Sequence, residues 1–366
     1  MPVGVYVSYP FCAQKCTFCN FASDVFPRSL EAEYLDSLRS EIEGAIWEDT
    51  PDTVYLGGGT PSQMPADRLA SLLDLIPGRP WTEATIEAAP GTITVEKAEA
   101  WREAGINRVS LGVQSFSTKE LARTGRKHTP EIVAREVALL RAAGISNLNI
   151  DLIAGLPGQT LASWQTSLSW LSAVDPDHVS VYMLEVDEDS RLGQEVLLNG
   201  KRYGAPDIPV DEAIAEFYEM AIRHLRDQGI HRYEISNFAR TGRESLHNLK
   251  YWRLDPYFGF GADAHSFDGK LRWQNADSVE EYVKRMQADG SAKTASDEAK
   301  PGEERFFVGL RLSAGITPSP DEWRRWDSEI AQFVSQGLLE RRGDQLRLTD
   351  RGVMYSNEVL AEFVEA

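Results

Sequence analysis

In 366 residues, 38 Lys and Arg stand against 56 Asp and Glu, a formal net charge of −18; with 42% hydrophobic residues the chain reads as soluble and long enough to bury a large core. Counterion release on nucleic acid needs clustered cations, so this acidic balance argues against a nucleic-acid partner. No run of about 18 apolar residues is present and the first residues carry no basic leader, so neither a membrane span nor a secretory signal is predicted, and the cytoplasm is the expected compartment.

Residues 4–9 read as a first β-strand. Directly after it come all three cysteines of the chain, Cys12, Cys16 and Cys19, spaced Cys-x3-Cys-x2-Cys. Structural zinc wants a fourth ligand, and the nearest histidine in sequence is His128. A Cys-x2-Cys redox dithiol leaves Cys12 unexplained, and an odd count in a long chain argues against a disulfide scaffold. Four thiolates normally close an iron–sulfur cluster, so three leave one iron open, and an open position on a metal marks a reactive site.

Up to about residue 184, short β-branched runs alternate with helical periods. Further strands are predicted at 53–56, 85–88, 108–112, 147–153 and 178–184. Between them lie a helix that Ser29 can cap, one opened by Pro65, one that stops at Gly105, and one from Thr129 and Pro130 to Gly144. Consecutive βα units imply a parallel sheet with right-handed crossovers. Six are too few for a closed eight-stranded barrel, so the expected α/β fold is a partial (β/α)6 barrel, with a doubly wound sheet as the alternative. The unusual residues favour the barrel, because they gather at the C-terminal ends of strands, the face where barrels hold their chemistry. These are the cysteine loop, Gly57-Gly58-Gly59-Thr60-Pro61, Glu87, Gln114 and Asp151. Gly57–Gly59 can be only a tight turn, and Glu87 a paired surface carboxylate. Asp151, between Ile150 and Leu152 in a strand buried on both faces, needs a partner or a ligand.

Beyond residue 184 the pattern loosens. Residues 187–209 read as a long loop, 210–228 as an amphipathic helix and 233–235 as a strand. The stretches His247-Asn248-Leu249-Lys250-Tyr251-Trp252 and 257–265 put two histidines among aromatics, which suits either packing or a flat ligand with a metal centre. Residues 292–300 read as a linker. The remainder, helices at 303–312 and 329–336, a hairpin at 338–348 and a helix at 351–364, has the order of a winged helix. Its arginines are offset by acids such as Asp321, Glu322 and Asp327, which favours an interaction or packing module over a DNA reader. The segments are accordingly set at 1–240, 241–300 and 301–366.

With these residues located, the chain resembles the coproporphyrinogen oxidase-like branch of the radical S-adenosylmethionine (SAM) superfamily, and within it the heme chaperones. The resemblance implies a 4Fe-4S cluster on Cys12, Cys16 and Cys19 that binds SAM at its open iron and passes it one electron, breaking it to methionine and a 5′-deoxyadenosyl radical. Tyr6, Gly58, Gly59, Thr60, Glu87, Gln114, Arg126 and Asp151 match positions that contact SAM, and Phe18 an aromatic between cluster ligands. The stretch from His247 to Trp252 matches an HNxxYW motif associated with the chaperones, which makes His247 a candidate for the heme site. The true oxidases carry a fourth cysteine where this chain has Phe21 and usually a histidine where it has Ser8. Asn20, Ala89 and Asp263 depart from the usual chaperone pattern.

The implied function is heme binding and delivery to apo-proteins such as respiratory enzymes, without coproporphyrinogen conversion. A porphyrin-processing radical enzyme is the alternative, and an RNA-modifying one is opposed by the charge. A peripheral position at a membrane stays open at this stage, as do a monomer and a dimer that depends on cluster and SAM.

Overall fold

The strands form where apolar residues, many of them β-branched, recur at every second position. They are β1 (Val3–Tyr9), β2 (Pro51–Gly58), β3 (Glu83–Ala88), β4 (Arg108–Gln114), β5 (Asn147–Ala154) and β6 (His178–Met183), each parallel to the next. The computed structural model describes residues 2–364; residues 1, 365 and 366, at the outer bounds of the first and last predicted segments, lie outside the described residues. Helices Arg28–Glu43, Ala66–Leu73, Val95–Glu103, Pro130–Ala142 and Leu161–Val174 make the crossovers. The outward residues of the strands, among them Val5, Val7, Val54, Leu56, Val109, Leu111 and Ile150, are buried in the core that these helices cover.

The inward residues are of the opposite character. Tyr55, Glu87, Arg108, Ser110, Asn149, Asp151 and Ser180 all face a cavity of about 900 Å³ inside the partial barrel. A closed barrel of this kind fills its interior with branched apolar side chains. A polar lining around free volume is instead the architecture of a binding chamber.

On the far side of β6 lie β7 (His231–Arg232) and β8 (Asn237–Ala239). On the far side of β1 lie β9 (Tyr257–Phe260), β10 (His265–Phe267), β11 (Leu271–Asn275) and β12 (Lys293–Glu298). One twelve-stranded sheet results, in the order β12-β11-β10-β9-β1-β2-β3-β4-β5-β6-β8-β7. β9 is parallel to β1, with Val5 opposite Phe258 and Tyr6 opposite Gly259.

Several elements differ from the sequence expectation. Pro27, not Ser29, precedes the first helix, whose first turn is tied down by the Tyr9 hydroxyl donating to Glu31. The loop at 187–209 contains a helix, Arg191–Leu197, that Ser190 caps by accepting from Gly193 N. Residues 233–235 are the turn between β7 and β8 and not a strand. The stretch predicted as a linker at 292–300 forms β12, exposed at every residue and held by its ladder to β11. Its sequence, Lys-Thr-Ala-Ser-Asp-Glu, has no apolar alternation because neither face is covered, and the charges along it discourage further pairing.

At the C-terminal end, helices Pro301–Gly309, Pro320–Arg325 and Asp327–Ser335 precede the hairpin β13 (Leu339–Arg342) and β14 (Gln345–Leu348). The last predicted helix breaks at Tyr355 into Asp350–Met354 and Ser356–Ala361. Phe306, Trp326, Phe333 and Phe363 stack into the core of this module. It leans on the barrel through Ser313 N, which donates to Tyr233 O at 2.9 Å, and through the Arg232–Asp350 ion pair at 3.2 Å. Met354, Ser356 and Asn357 thereby become part of the cavity wall. No helix among the described residues is long and apolar enough to cross a membrane.

Candidate functional site

The cysteine loop follows β1 with almost no regular structure, so its shape rests on backbone bonds to its neighbours. Cys12 N donates to Asp24 O at 2.9 Å, Asp24 N to Pro10 O at 3.1 Å, Thr17 N to Thr124 O at 3.3 Å and Leu192 N to Thr17 O at 2.8 Å. Asp24 on the way to the first helix, the segment after β4 and the helix Arg191–Leu197 thus all grip one loop. Its three cysteines are free and half-buried, and all line the cavity together with Phe18 and the well-exposed Phe21. Thr60 Oγ1 donates to Cys12 Sγ at 3.4 Å, and burial raises the Cys12 thiol above its ordinary pKa. Among the described residues, no three His, Cys, Asp or Glu side chains gather around a single-ion position. Ligands of a multinuclear cluster need not do so, since each thiolate takes a different iron. The donor set therefore fits a cluster held by three thiolates.

Directly against this loop stands the turn after β2. Gly59 N donates to Tyr9 O at 2.9 Å, and a Cβ on Gly59 would lie 2.7 Å from the Pro10 carbonyl carbon, so only glycine allows this turn to seat against the cysteine loop. Gly58 has φ +103°, and Thr60 completes the edge. Beside them Glu87 accepts from the Tyr55 hydroxyl at 2.8 Å, and Tyr6 stacks on Tyr55 with centroids 6.2 Å apart. Burial, opposed by that hydrogen bond and reinforced by the nearby Asp151 charge, pushes the Glu87 carboxyl up to about 7. Asp151 is likewise raised by burial, although Asn149 Nδ2 (2.7 Å) and Ser110 Oγ (3.1 Å) both donate to it.

Gln114 ends β4 in the left-handed region, at φ 68°, and its buried Oε1 has no partner. Arg126 donates to Gly112 O at 2.6 Å, while its Nε is buried and unpaired. A fully formed pocket with two carboxylates, an orphaned amide oxygen and an orphaned guanidinium nitrogen calls for a ligand bearing both signs of charge. The cysteines, Phe18, Gly58, Gly59, Thr60, Glu87, Gln114, Arg126 and Asp151 thus line one end of the barrel, while Tyr6 packs behind Tyr55 and the glycine turn and is not part of the lining.

His247 is not among them. It projects from the helix Leu246–Arg253, which closes the other end, near the N-terminal ends of β1 to β3. There it is 0% exposed, with Nδ1 3.0 Å from Thr53 Oγ1 and Nε2 2.9 Å from the Tyr251 hydroxyl, and it stacks on Tyr55 at 5.3 Å. Burial holds this imidazole neutral, down to about 3. Gly4 makes the room, since a Cβ there would lie 3.1 Å from the His247 ring. With both nitrogens engaged, His247 is geometrically a floor plug and is not presented to an incoming iron. Asn248 is the residue of that motif that lines the cavity.

Three contributors were missed from sequence. Asn149 bonds Asp151, Ser110, Ser180 and His178 at once, and Arg108 and Tyr55 line the same chamber. The available signal was the polar residue at every second strand position, Arg108-Ser110-Gly112 and Asn147-Asn149-Asp151, which marks an inward face that is not apolar.

A profile of the radical SAM superfamily matches residues 6–171, and one of the HemN C-terminal domain matches residues 297–355. The heme chaperone HemW of Bacillus subtilis is 34% identical over 99% of this chain and 99% of its own length. HemW of Mycobacterium tuberculosis is 34% identical over 98% and 94%, and that of Escherichia coli 28% identical over 99% and 98%. Among solved structures, the coproporphyrinogen III oxidase HemN of Escherichia coli superposes with a TM-score of 0.85 at 23% identity, covering 99% of this chain and 90% of that one, a likeness of fold.

Proposed function

Because the chain belongs to the HemW family of heme chaperones within the radical SAM superfamily, we propose that it binds heme and hands it to apo-proteins, and that it does so as a cluster- and SAM-carrying protein. The observation that carries this reading is the end-to-end match to the chaperones, 34% identical across 99% of both chains. Cys12, Cys16 and Cys19 would hold the 4Fe-4S cluster, which when bound supplies one electron to SAM. Glu87 and Asp151 would face the cationic groups of SAM and Arg126 its carboxylate, with Gly58 and Gly59 leaving room for it, Phe18, Thr60 and Gln114 fixing its orientation, and Tyr6 supporting them from behind. The recipients that suit this reading are apo-hemoproteins such as respiratory enzymes, reached from the cytoplasm. Phe21, 67% exposed at the mouth, stands where an oxidase would place its fourth cysteine, which supports a carrier over a decarboxylase.

The test is to reconstitute the cluster anaerobically and run two assays side by side. Hemin should bind near-stoichiometrically with a Soret shift, and coproporphyrinogen should give no protoporphyrinogen under reducing, SAM-replete conditions. Efficient decarboxylation would overturn the reading and restore the oxidase.

The electrostatics add a pH prediction. Glu87 is neutral below about pH 7, and a cationic ligand favours its ionised form, so binding must release a proton there. SAM affinity should therefore climb as pH rises from 5.5 to 7, by up to about tenfold per unit, and level off above. Glu87→Gln should flatten that profile. Isothermal titration at four pH values decides it, and an equally steep profile in the variant would remove Glu87 from the SAM site.

A further inference from the structure

The floor of the chamber holds a cation that lacks an adequate partner. Arg108, on β4, is 1% exposed, yet its guanidinium makes one long hydrogen bond, to Thr85 Oγ1 at 3.4 Å, and its Nε has none. The closest carboxylate is Glu83, 4.0 Å away. That carboxylate is already engaged as the cap of the helix Leu246–Arg253, accepting from Ser245 Oγ (3.2 Å), Leu246 N (2.9 Å) and His247 N (3.0 Å). A guanidinium has five N–H donors, and a buried one is ordinarily paired with an anion.

Arg311 lines the same cavity from the C-terminal module. It lies over the Trp252 ring at 4.5 Å, its NH2 group is 3.6 Å from the buried Glu234, and its own Nε is buried and unpaired. Glu234 Oε1 accepts from Ser236 N at 2.8 Å and Asn237 Nδ2 at 2.6 Å, while Oε2, the oxygen nearer Arg311, is itself buried without a hydrogen-bond partner. Asn248 lines the same cavity.

We propose that Arg108, Arg311 and Asn248 form a carboxylate-binding floor beneath the residues that face SAM, and that it takes a propionate of the tetrapyrrole. The proposal rests on the heme-carrier reading and says which edge of the ligand enters first. A guanidinium matches a carboxylate through two parallel N–H···O bonds, which a neutral ester cannot reciprocate at full strength. The floor thus fixes the ring by its propionate edge and leaves the choice of iron ligand to residues nearer the mouth.

The experiment is an absorbance titration of the full chain with hemin and with hemin dimethyl ester, for wild type, Arg108→Gln and Arg311→Gln, alongside thermal melts. Wild type should prefer hemin by roughly tenfold or more, the worth of one charge-assisted pair. Each variant should lose most of that preference while binding the ester as wild type does. Should Arg108→Gln show no melting transition, Arg311→Gln decides alone. Equal wild-type affinity for acid and ester, or a preference that survives in the folded variants, overturns the floor while leaving heme binding intact. Binding of neither compound overturns the heme-carrier reading itself.

Discussion

Alanine in place of any one of Cys12, Cys16 or Cys19 is expected to take anaerobically reconstituted protein from about four irons per chain to nearly none. The loop carries every cysteine of the chain, and among the described residues no set of His, Cys, Asp or Glu side chains gathers as a single-ion site that could take the iron instead. The fold should survive the change, because the loop is held chiefly by main-chain bonds from Cys12, Thr17 and Asp24, and the thiols add only weak contacts from Thr60 and Ser23. Iron and sulfide analysis beside a thermal melt separates the two outcomes. Iron content that stays at four in all three variants would end the cluster assignment.

Asp151→Asn should weaken SAM binding by roughly 10- to 150-fold, the range expected for losing one charge-assisted contact worth about 1.5–3 kcal/mol. The substitution suits the local geometry. An amide oxygen can go on accepting from Asn149 Nδ2, and the amide nitrogen can donate to Ser110 Oγ, whose hydroxyl rotates to accept. Cluster content and melting temperature should therefore stay near wild type while affinity falls. Calorimetry that returns the wild-type affinity would make Asp151 a structural member of the Asn149 network and nothing more.

The mouth was readable from sequence because its chemistry is concentrated in short stretches. Three thiols in one loop, a glycine run after a strand and a carboxylate inside an apolar strand each violate what packing alone would ask for. The parallel strands β1 to β6 were readable for the opposite reason, since their outward faces obey packing strictly. The floor was not readable. His247 sits in a motif whose residue types suit a heme ligand, and nothing local says that Thr53 and Tyr251 already occupy both of its nitrogens. Asn149 and Arg108 look like ordinary polar residues until neighbouring strands turn them toward one another. β9 to β12 were missed as sheet because β9 pairs with a strand some 250 residues earlier and because β12 buries nothing.

That long-range pairing has a consequence for how the protein is made. β1 meets β2 within the first fifty-odd residues, but its other edge waits for β9, and the helix Leu246–Arg253 that stoppers the barrel emerges only just before. At about 5–20 residues per second of synthesis, roughly 10 to 40 s pass between the two. During that interval the nascent chain carries three reduced thiols in the loop that follows a strand with one bare edge. Loading the cluster thus belongs after the ribosome has finished most of the chain, and a pause or truncation upstream of β9 would leave an oxidisable, sticky N-terminal half.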